Sequence, residues 1–245
     1  MIYFEHFCKE HIFILILISL IISSVLFFLS KDKSGKATLI TLRTLAILHF
    51  CCEFLQDILL VHEGFEVMRI LPLHLCNLGI FINLGASFSK GKIRAILSEI
   101  SVMLIMPGAL GALLFPDWNY RPFWNWLPLM CFFTHMILMT IPLIYITKGI
   151  CDIRFKHFYY SVVFMLLVTP PIYKLDVACK QNFIFFRYPV LGSPLEWIYN
   201  LFTPKHYIFG LFLLLITFLA FEYTIAELIR YIHKRRNMIA DQRSK

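Results

Sequence analysis

Two residues able to do nucleophilic chemistry stand in apolar surroundings: Cys76 in Leu71-Pro72-Leu73-His74-Leu75-Cys76-Asn77-Leu78, and His135 in Phe133-Thr134-His135. A thiol becomes a nucleophile on losing its proton, and an imidazole within hydrogen-bond reach can take that proton. A third group would orient the imidazole, and by residue type Glu53, Asp57, Asn77 and Asn182 all qualify. His74 and Asn77 flank the thiol and could donate to an oxyanion formed beside it. Taken singly these residues read blandly. A cysteine in an apolar helix is usually a small inert hydrophobe, and a buried histidine usually satisfies a neighbour.

Other polar residues suggest other chemistries. His49, Glu53 and Asp57 recur at i, i+4 and i+8, which places them in one stripe along a helix with Gln56 beside it. Such a stripe points into a bundle; with Glu99 it would suit a proton or ion path, and with Arg43 or Arg69 a structural seam. His49, His74 and His135 would suit a zinc-dependent lipid hydrolase, but no H-x-x-x-H spacing is present. The seven cysteines show no C-x-x-C pair, so no zinc ribbon or disulfide framework is indicated, and the expectation is a site without metal or cofactor.

The elements that position these residues are set by hydropathy. With 59% hydrophobic and 16% charged residues and a mean hydropathy of +0.74, the chain departs from soluble domains, which carry about 25% charged residues. Runs long enough to cross a hydrocarbon core of roughly 30 Å predict about seven spans: Ile12 to Leu29, Leu39 to Val61, Ile70 to Phe88, Ile93 to Phe115, Trp126 to Ile146, Phe158 to Tyr173, and Tyr207 to Ile232. Pro170-Pro171 is expected to break the sixth. The fold class is an all-α integral membrane bundle, residues 1–236 forming one domain and 237–245 a basic tail.

Charge orients the bundle. Lys31/Lys33/Lys36, Lys90/Lys92/Arg94, Lys148/Arg154/Lys156 and the tail from Arg230 fall in alternate connections, which hold roughly twice the Lys and Arg of the others. That places the N-terminus outside and the C-terminus in the cytoplasm, in a multi-pass protein of the cell membrane. The net charge of +8 is thereby explained without nucleic acid, for which no binding motif is present. Aromatics at Trp118/Tyr120/Trp124/Trp126 and Phe185/Phe186/Tyr188/Trp197/Tyr199 fall where an outer interfacial belt belongs. The stretch from Asn182 to Ile198, broken by Pro189, Gly192 and Pro194, reads as an outer interfacial or re-entrant flap. Spans three and five both enter from the outer side, which puts Cys76 and His135 at roughly 9 and 13 Å along their helices.

The motifs Leu71-Pro-Leu-His-Leu-Cys76-Asn, Pro107-Gly-Ala-Leu-Gly-Ala-Leu-Leu-Phe-Pro116-Asp117, Phe133-Thr-His135 and Asn182-Phe with Pro189 and Ser193 resemble the YwaF family of bacterial membrane proteins. That pattern is shared with eukaryotic transmembrane protein 164, and the likeness runs from about His49 to Tyr207. The resemblance implies a mainly seven-helix protein and, for the eukaryotic relative, an acyltransferase moving fatty acyl chains between phospholipids and lysophospholipids. The cysteine and histidine of that activity match Cys76 and His135. The sequence departs from the family pattern at Thr203-Pro-Lys-His-Tyr207, where a Gly-Pro-Trp-Pro-Trp-Tyr-like run is expected.

The orientation is testable with a membrane-impermeant thiol reagent on intact cells, in a background without reactive native thiols. A cysteine placed at Arg121 is expected to react and one placed at Lys33 to stay unlabelled; the reverse pattern inverts the topology.

Overall fold

The computed structural model describes residues 3–243, with the side chains at 204, 233, 234 and 236–243 outside the described set. The expected tail, 237–245, therefore lies outside the described residues, apart from backbone that is helical to Arg243. Eight helices follow in order: α1 Lys9–Ser30, α2 Lys36–His62, α3 Leu75–Phe88, α4 Gly91–Ile100, α5 Met106–Leu114, α6 Trp126–Thr147, α7 Tyr159–Cys179 and α8 Pro194–Arg243. No strand occurs among the described residues. This is the all-helical bundle expected, with six rather than seven helices long and apolar enough to cross a membrane.

The exception is the third expected span. Its helix begins at Leu75 rather than Ile70, so its 14 residues cover about 21 Å, short of a hydrocarbon core. Pro72 offers no N–H and biases Leu71 away from helical backbone. His74 remains extended at the N-cap, with φ −61° and ψ 151°. Upstream lies only a single 3₁₀ turn, Val67–Arg69. Apolar content runs on unbroken from Ile70, but Pro72 keeps the backbone from following it.

Two other prolines are absorbed. Helices α4 and α5 run on as one rod through a π turn over Ser101–Ile105, just ahead of Pro107. A proline clashes with the carbonyl four residues back, here that of Met103, and the wider turn makes room for it. The expected break at Pro170-Pro171 does not occur, since α7 continues to Cys179. Helix α8 instead bends at Thr203, at φ 60° and ψ 159°, within the run that departs from the family pattern.

The core forms where α3, the π turn and α6 meet. Ile105, Leu138 and Ile82 are buried there together, and Ser101 donates a 2.6 Å hydrogen bond to Asn83, both fully enclosed. Gly79 makes the close approach possible: a Cβ on it would lie 2.5 Å from Ile105 Cγ2 and 2.9 Å from Leu138 Cδ2.

At the basic end of the bundle, several charged groups are paired. The Asp32 carboxylate accepts from Thr38 N (2.8 Å) and Oγ1 (2.9 Å) and from Ser34 (2.8 Å). These bonds, the Thr38 amide first, hold its pKa down to about 2. Lys148 Nζ donates to the carbonyls of Leu29 (2.7 Å) and Asp32 (2.9 Å), tying α6 to the end of α1. Glu99 pairs with His157 at 2.8 Å, and Arg230 of α8 reaches Asp152 and the Ile153 carbonyl.

Gly79→Ala is expected to lower stability by about 1–2 kcal/mol, because overpacking outweighs the gain in helix propensity. Gly111→Ala, whose Cβ would meet nothing within 4 Å, is expected to be neutral or stabilising. Thermal unfolding in detergent compares the two; equal midpoints would show that the α3 contact yields without cost.

A cysteine and histidine crevice

Because α3 starts at Leu75, Cys76 occupies the second position of a helix instead of its middle. Leu78 N–H closes the first helical bond on the His74 carbonyl, and the amides of Leu75, Cys76 and Asn77 have no backbone partner among the described residues. No side chain caps them. These free N–H groups and the positive end of the helix dipole favour negative charge on the sulfur or on an oxygen beside it.

Helices α3 and α6 leave the same end of the bundle and touch where Gly79 meets Leu138. Cys76 lies three residues before Gly79, and His135 three before Leu138. Equal steps of about 4.5 Å set the two backbone positions at similar heights along their helices, and among the described residues no hydrogen bond joins the two side chains. Cys76 packs against the cluster that contains Leu138 and Met139. Both residues are half-buried, as are Glu53, Gln56, Asp57, His74, Asn77 and Cys131, so they line a crevice and not a sealed core.

The group that orients His135 is none of the four side chains expected. Its Nδ1 lies 2.7 Å from the carbonyl of Cys131 one turn earlier. A carbonyl can only accept, so Nδ1 carries the proton and Nε2 of the neutral ring is left as the acceptor. Trp118 packs on the same ring, with centroids 4.9 Å apart at 39°. Sequence alone assigned Trp118 to the interfacial belt, yet it is 6% exposed and turned inward among Phe4, Leu113 and Phe132. Trp124 and Tyr120 do lie exposed at that end.

Of the expected supporting residues, Glu53 and Asn77 are brought together. Asn77 Nδ2 donates to Glu53 Oε1, fastening α2 to α3 beside the thiol. One turn on, Cys131 Sγ donates to Gln56 Oε1 at 3.7 Å, fastening α2 to α6. The α2 stripe thus faces the crevice as expected, with Asp57 one turn nearer the end. His49 lies deeper, 1% exposed, within electrostatic range of His135, and its Nδ1 has no partner among the described residues. Asn182 serves the flap itself, donating to the Tyr188 carbonyl (2.8 Å) and accepting from Arg187 N (2.9 Å).

A non-helical flap forms over Lys180–Ser193 and covers the stretch before Cys76; it ends short of the expected Ile198 because α8 begins at Pro194. Phe183 and Ile184 are buried against Leu71, Leu73 and Leu78. The His74 ring sits between Phe183 and Phe185, at centroid distances of 5.5 and 5.6 Å. Asp176 of α7 anchors the flap, its Oδ1 accepting from Phe183 N at 3.0 Å and its carbonyl from Arg187 at 3.3 Å. Across the mouth, Glu63 takes Arg121 at 2.5 Å and Trp126 Nε1 at 2.9 Å. The Arg121 bond leads in holding the Glu63 carboxyl below the usual range.

The residues that sequence reasoning missed are Cys131, Gln56, Asp117 and Trp118. Asp117 is exposed on the α5–α6 loop, within electrostatic range of Cys76, His74 and His135. The adjacent Pro116-Asp117-Trp118 was the available signal, since a carboxylate and an indole beside a proline can turn back into a site.

Two other expectations fail on geometry. Glu99 is engaged at the opposite end by His157 and by Arg154 N (3.4 Å), so the α2 stripe does not continue to it. Among the described residues no three of His, Cys, Asp and Glu group as a metal site, and His49, His74 and His135 do not converge as zinc ligands.

The fold is that of a polytopic helical membrane protein. Residues 6–226 match the TMEM164 family, and the chain belongs to it. The likeness to the bacterial YwaF proteins is compatible with that membership. Neither a search of curated proteins nor one of solved structures returns a match.

Glu53→Ala is expected to cost roughly 1–3 kcal/mol, because it leaves the Asn77 amide without its acceptor. Glu53→Gln, whose amide oxygen still accepts, is expected to lose less than half of that. Unfolding midpoints in detergent decide, and equal losses would mean the α2–α3 bond carries no stability.

Proposed function

We propose that the protein is a lipid acyltransferase or transacylase, or a lipid ester hydrolase where water is the acceptor, working through an acyl thioester on Cys76. What supports this reading is the position of Cys76 on the first turn of α3, together with the Nδ1 bond of His135 that leaves Nε2 as its acceptor.

His135 takes the Cys76 proton, and the thiolate attacks the ester carbonyl of a membrane phospholipid. The amides of Leu75, Cys76 and Asn77 donate to the oxyanion, a role first sought in the side chains of His74 and Asn77. The C–O bond breaks, the lysophospholipid leaves with the proton from His135, and the acyl chain stays on sulfur. An acceptor then gives its proton to the same imidazole and collects the chain. The flap supports this chemistry by covering the crevice with Phe183 and Phe185, which limits water while lipid-like chains can enter between apolar rings. No step calls on a metal or cofactor. With the charge asymmetry, the reading places the crevice in the outer leaflet of the cell membrane.

Mass spectrometry of protein reconstituted with acyl-labelled phosphatidylcholine tests it. Wild type and Cys131→Ser are expected to carry the acyl adduct, Cys76→Ala to lose it while folding normally, and His135→Gln to form it at least 100-fold more slowly. An adduct that survives in Cys76→Ala places the nucleophile elsewhere.

A further inference from the structure

Arg43 is the basic residue inside α2 that the crevice does not use. Helix α2, with 27 residues, is about 40 Å long and overhangs a roughly 30 Å hydrocarbon core by about 5 Å at each end. Arg43 stands about 10 Å along it from Lys36, so its backbone lies inside the apolar layer. An arginine at that depth needs a partner or must reach back to the headgroups. It reaches the C-terminal end of α3, where Nε donates to the Ser87 carbonyl at 3.4 Å and the guanidinium lies 5.2 Å over the Phe88 ring. Arg94 of α4 meets the same end, its Nε donating to the Ala86 carbonyl at 3.3 Å. Consecutive carbonyl oxygens at a helix end are roughly 3–4 Å apart, so the two Nε atoms lie within about 10 Å of each other.

Those bonds use one N–H of each guanidinium and leave the Nη groups without an acceptor among the described residues. None of the ion pairs among the described residues includes either arginine. A helix end carries about half a negative charge, so capping α3 answers one cation at most and leaves the second uncompensated. The neighbourhood adds to the surplus. Lys90 and Lys92 are exposed in the α3–α4 turn, and the chain has no acidic residue between Glu66 and Glu99. Glu99 itself is enclosed against His157.

We propose that Arg43 and Arg94 together hold the phosphate of an anionic phospholipid, drawn from the leaflet at the basic end of the bundle. A planar guanidinium pairs two N–H groups with two phosphate oxygens, and two guanidiniums at this separation can share one phosphate. The head carries no ammonium, as in phosphatidylglycerol, because choline or ethanolamine would set a further cation among Arg43, Arg94, Lys90 and Lys92. A lipid already holds its phosphate at the edge of the apolar layer and lays its chains along the exposed Phe88 and Ile93, whereas a free phosphate ion would have to leave water to reach the same depth. The site lies at the end of α3 away from Cys76 and is independent of the thioester reading.

Native mass spectrometry of the full chain in zwitterionic detergent, titrated with phosphatidylglycerol, tests the proposal. Wild type is expected to retain the lipid, and Arg43→Gln and Arg94→Gln to hold it about tenfold less tightly. Lys33→Gln, which removes an exposed charge from the same end, is expected to stay within about twofold of wild type. Glutamine keeps an N–H for the α3 carbonyl, so the lipid-free unfolding midpoints of the arginine variants are expected near that of wild type. Equal losses in Lys33→Gln and the arginine variants would show diffuse attraction to a basic surface and overturn the site. A second comparison uses wild type alone and holds whether or not a variant folds. Phosphatidylglycerol is expected to raise the unfolding midpoint, while phosphatidylcholine of the same chains and inorganic phosphate leave it in place. An equal rise with phosphatidylcholine overturns the anionic head, and an equal rise with inorganic phosphate overturns the lipid in favour of the free ion.

Discussion

A helix that begins inside the bundle is the constraint from which the rest of the structure follows. In hydrocarbon each backbone N–H needs either a partner or a cover of protein and trapped water. Pro72 withholds helix from the residues before Leu75, so the amides of α3 that would otherwise open into the interfacial layer are carried inward with Cys76. The flap closes over the irregular stretch, α5 lays Gly108 within 3.3 Å of Leu75 for an added Cβ, and α2 supplies Glu53 to Asn77. Each of these elements deals with a consequence of one early break in an apolar run.

Depth and spacing are then set by packing. Gly79 lets α3 rest directly on Ile105 and Leu138, and Ile105 closes the π turn that precedes Pro107. Without the wider turn the proline ring would clash with the Met103 carbonyl and bend the rod away from α3. A proline in α4–α5 and a glycine in α3 therefore act on one quantity, the separation of α3 from α6. Cys76 and His135 sit a turn beyond that contact. General-base transfer from a thiol needs roughly 3 Å between heavy atoms, so a change of about 1 Å in helix spacing would matter.

Hydropathy made the bundle legible from sequence, because runs of twenty apolar residues admit few other readings. Cys76 and His135 stand out as candidates for the same kind of reason, each being costly in apolar surroundings. What periodicity could not give was the start of α3, since apolar content continues unbroken from Ile70 while the backbone does not follow it. Nor could it give the partner of His135. The search was among side chains with carboxylates and amides, whereas the partner is a main-chain carbonyl, which every sequence has at every position. Trp118 misled for a related reason. An indole near a membrane interface is usually a belt residue, and only the turn at Pro116 sends this one inward.

The two ends of the bundle differ in what they leave undone. At the basic end Asp32, Glu99, Asp152 and Lys148 all have partners drawn from neighbouring elements. The exposed Asp152–Arg230 pair contributes about 0–1 kcal/mol, so its effect is to fix the geometry of α8 against the loop that holds Asp152. Among the described residues Ser89 Oγ, Ser161 Oγ and Glu222 Oε2 toward the basic end lack partners, as do the Nδ1 of His49 in mid-helix, the indole of Trp118 and the first-turn amides of α3. Unmade hydrogen bonds there are a cost that a bound oxygen can remove, and removal of a cost is a source of binding free energy.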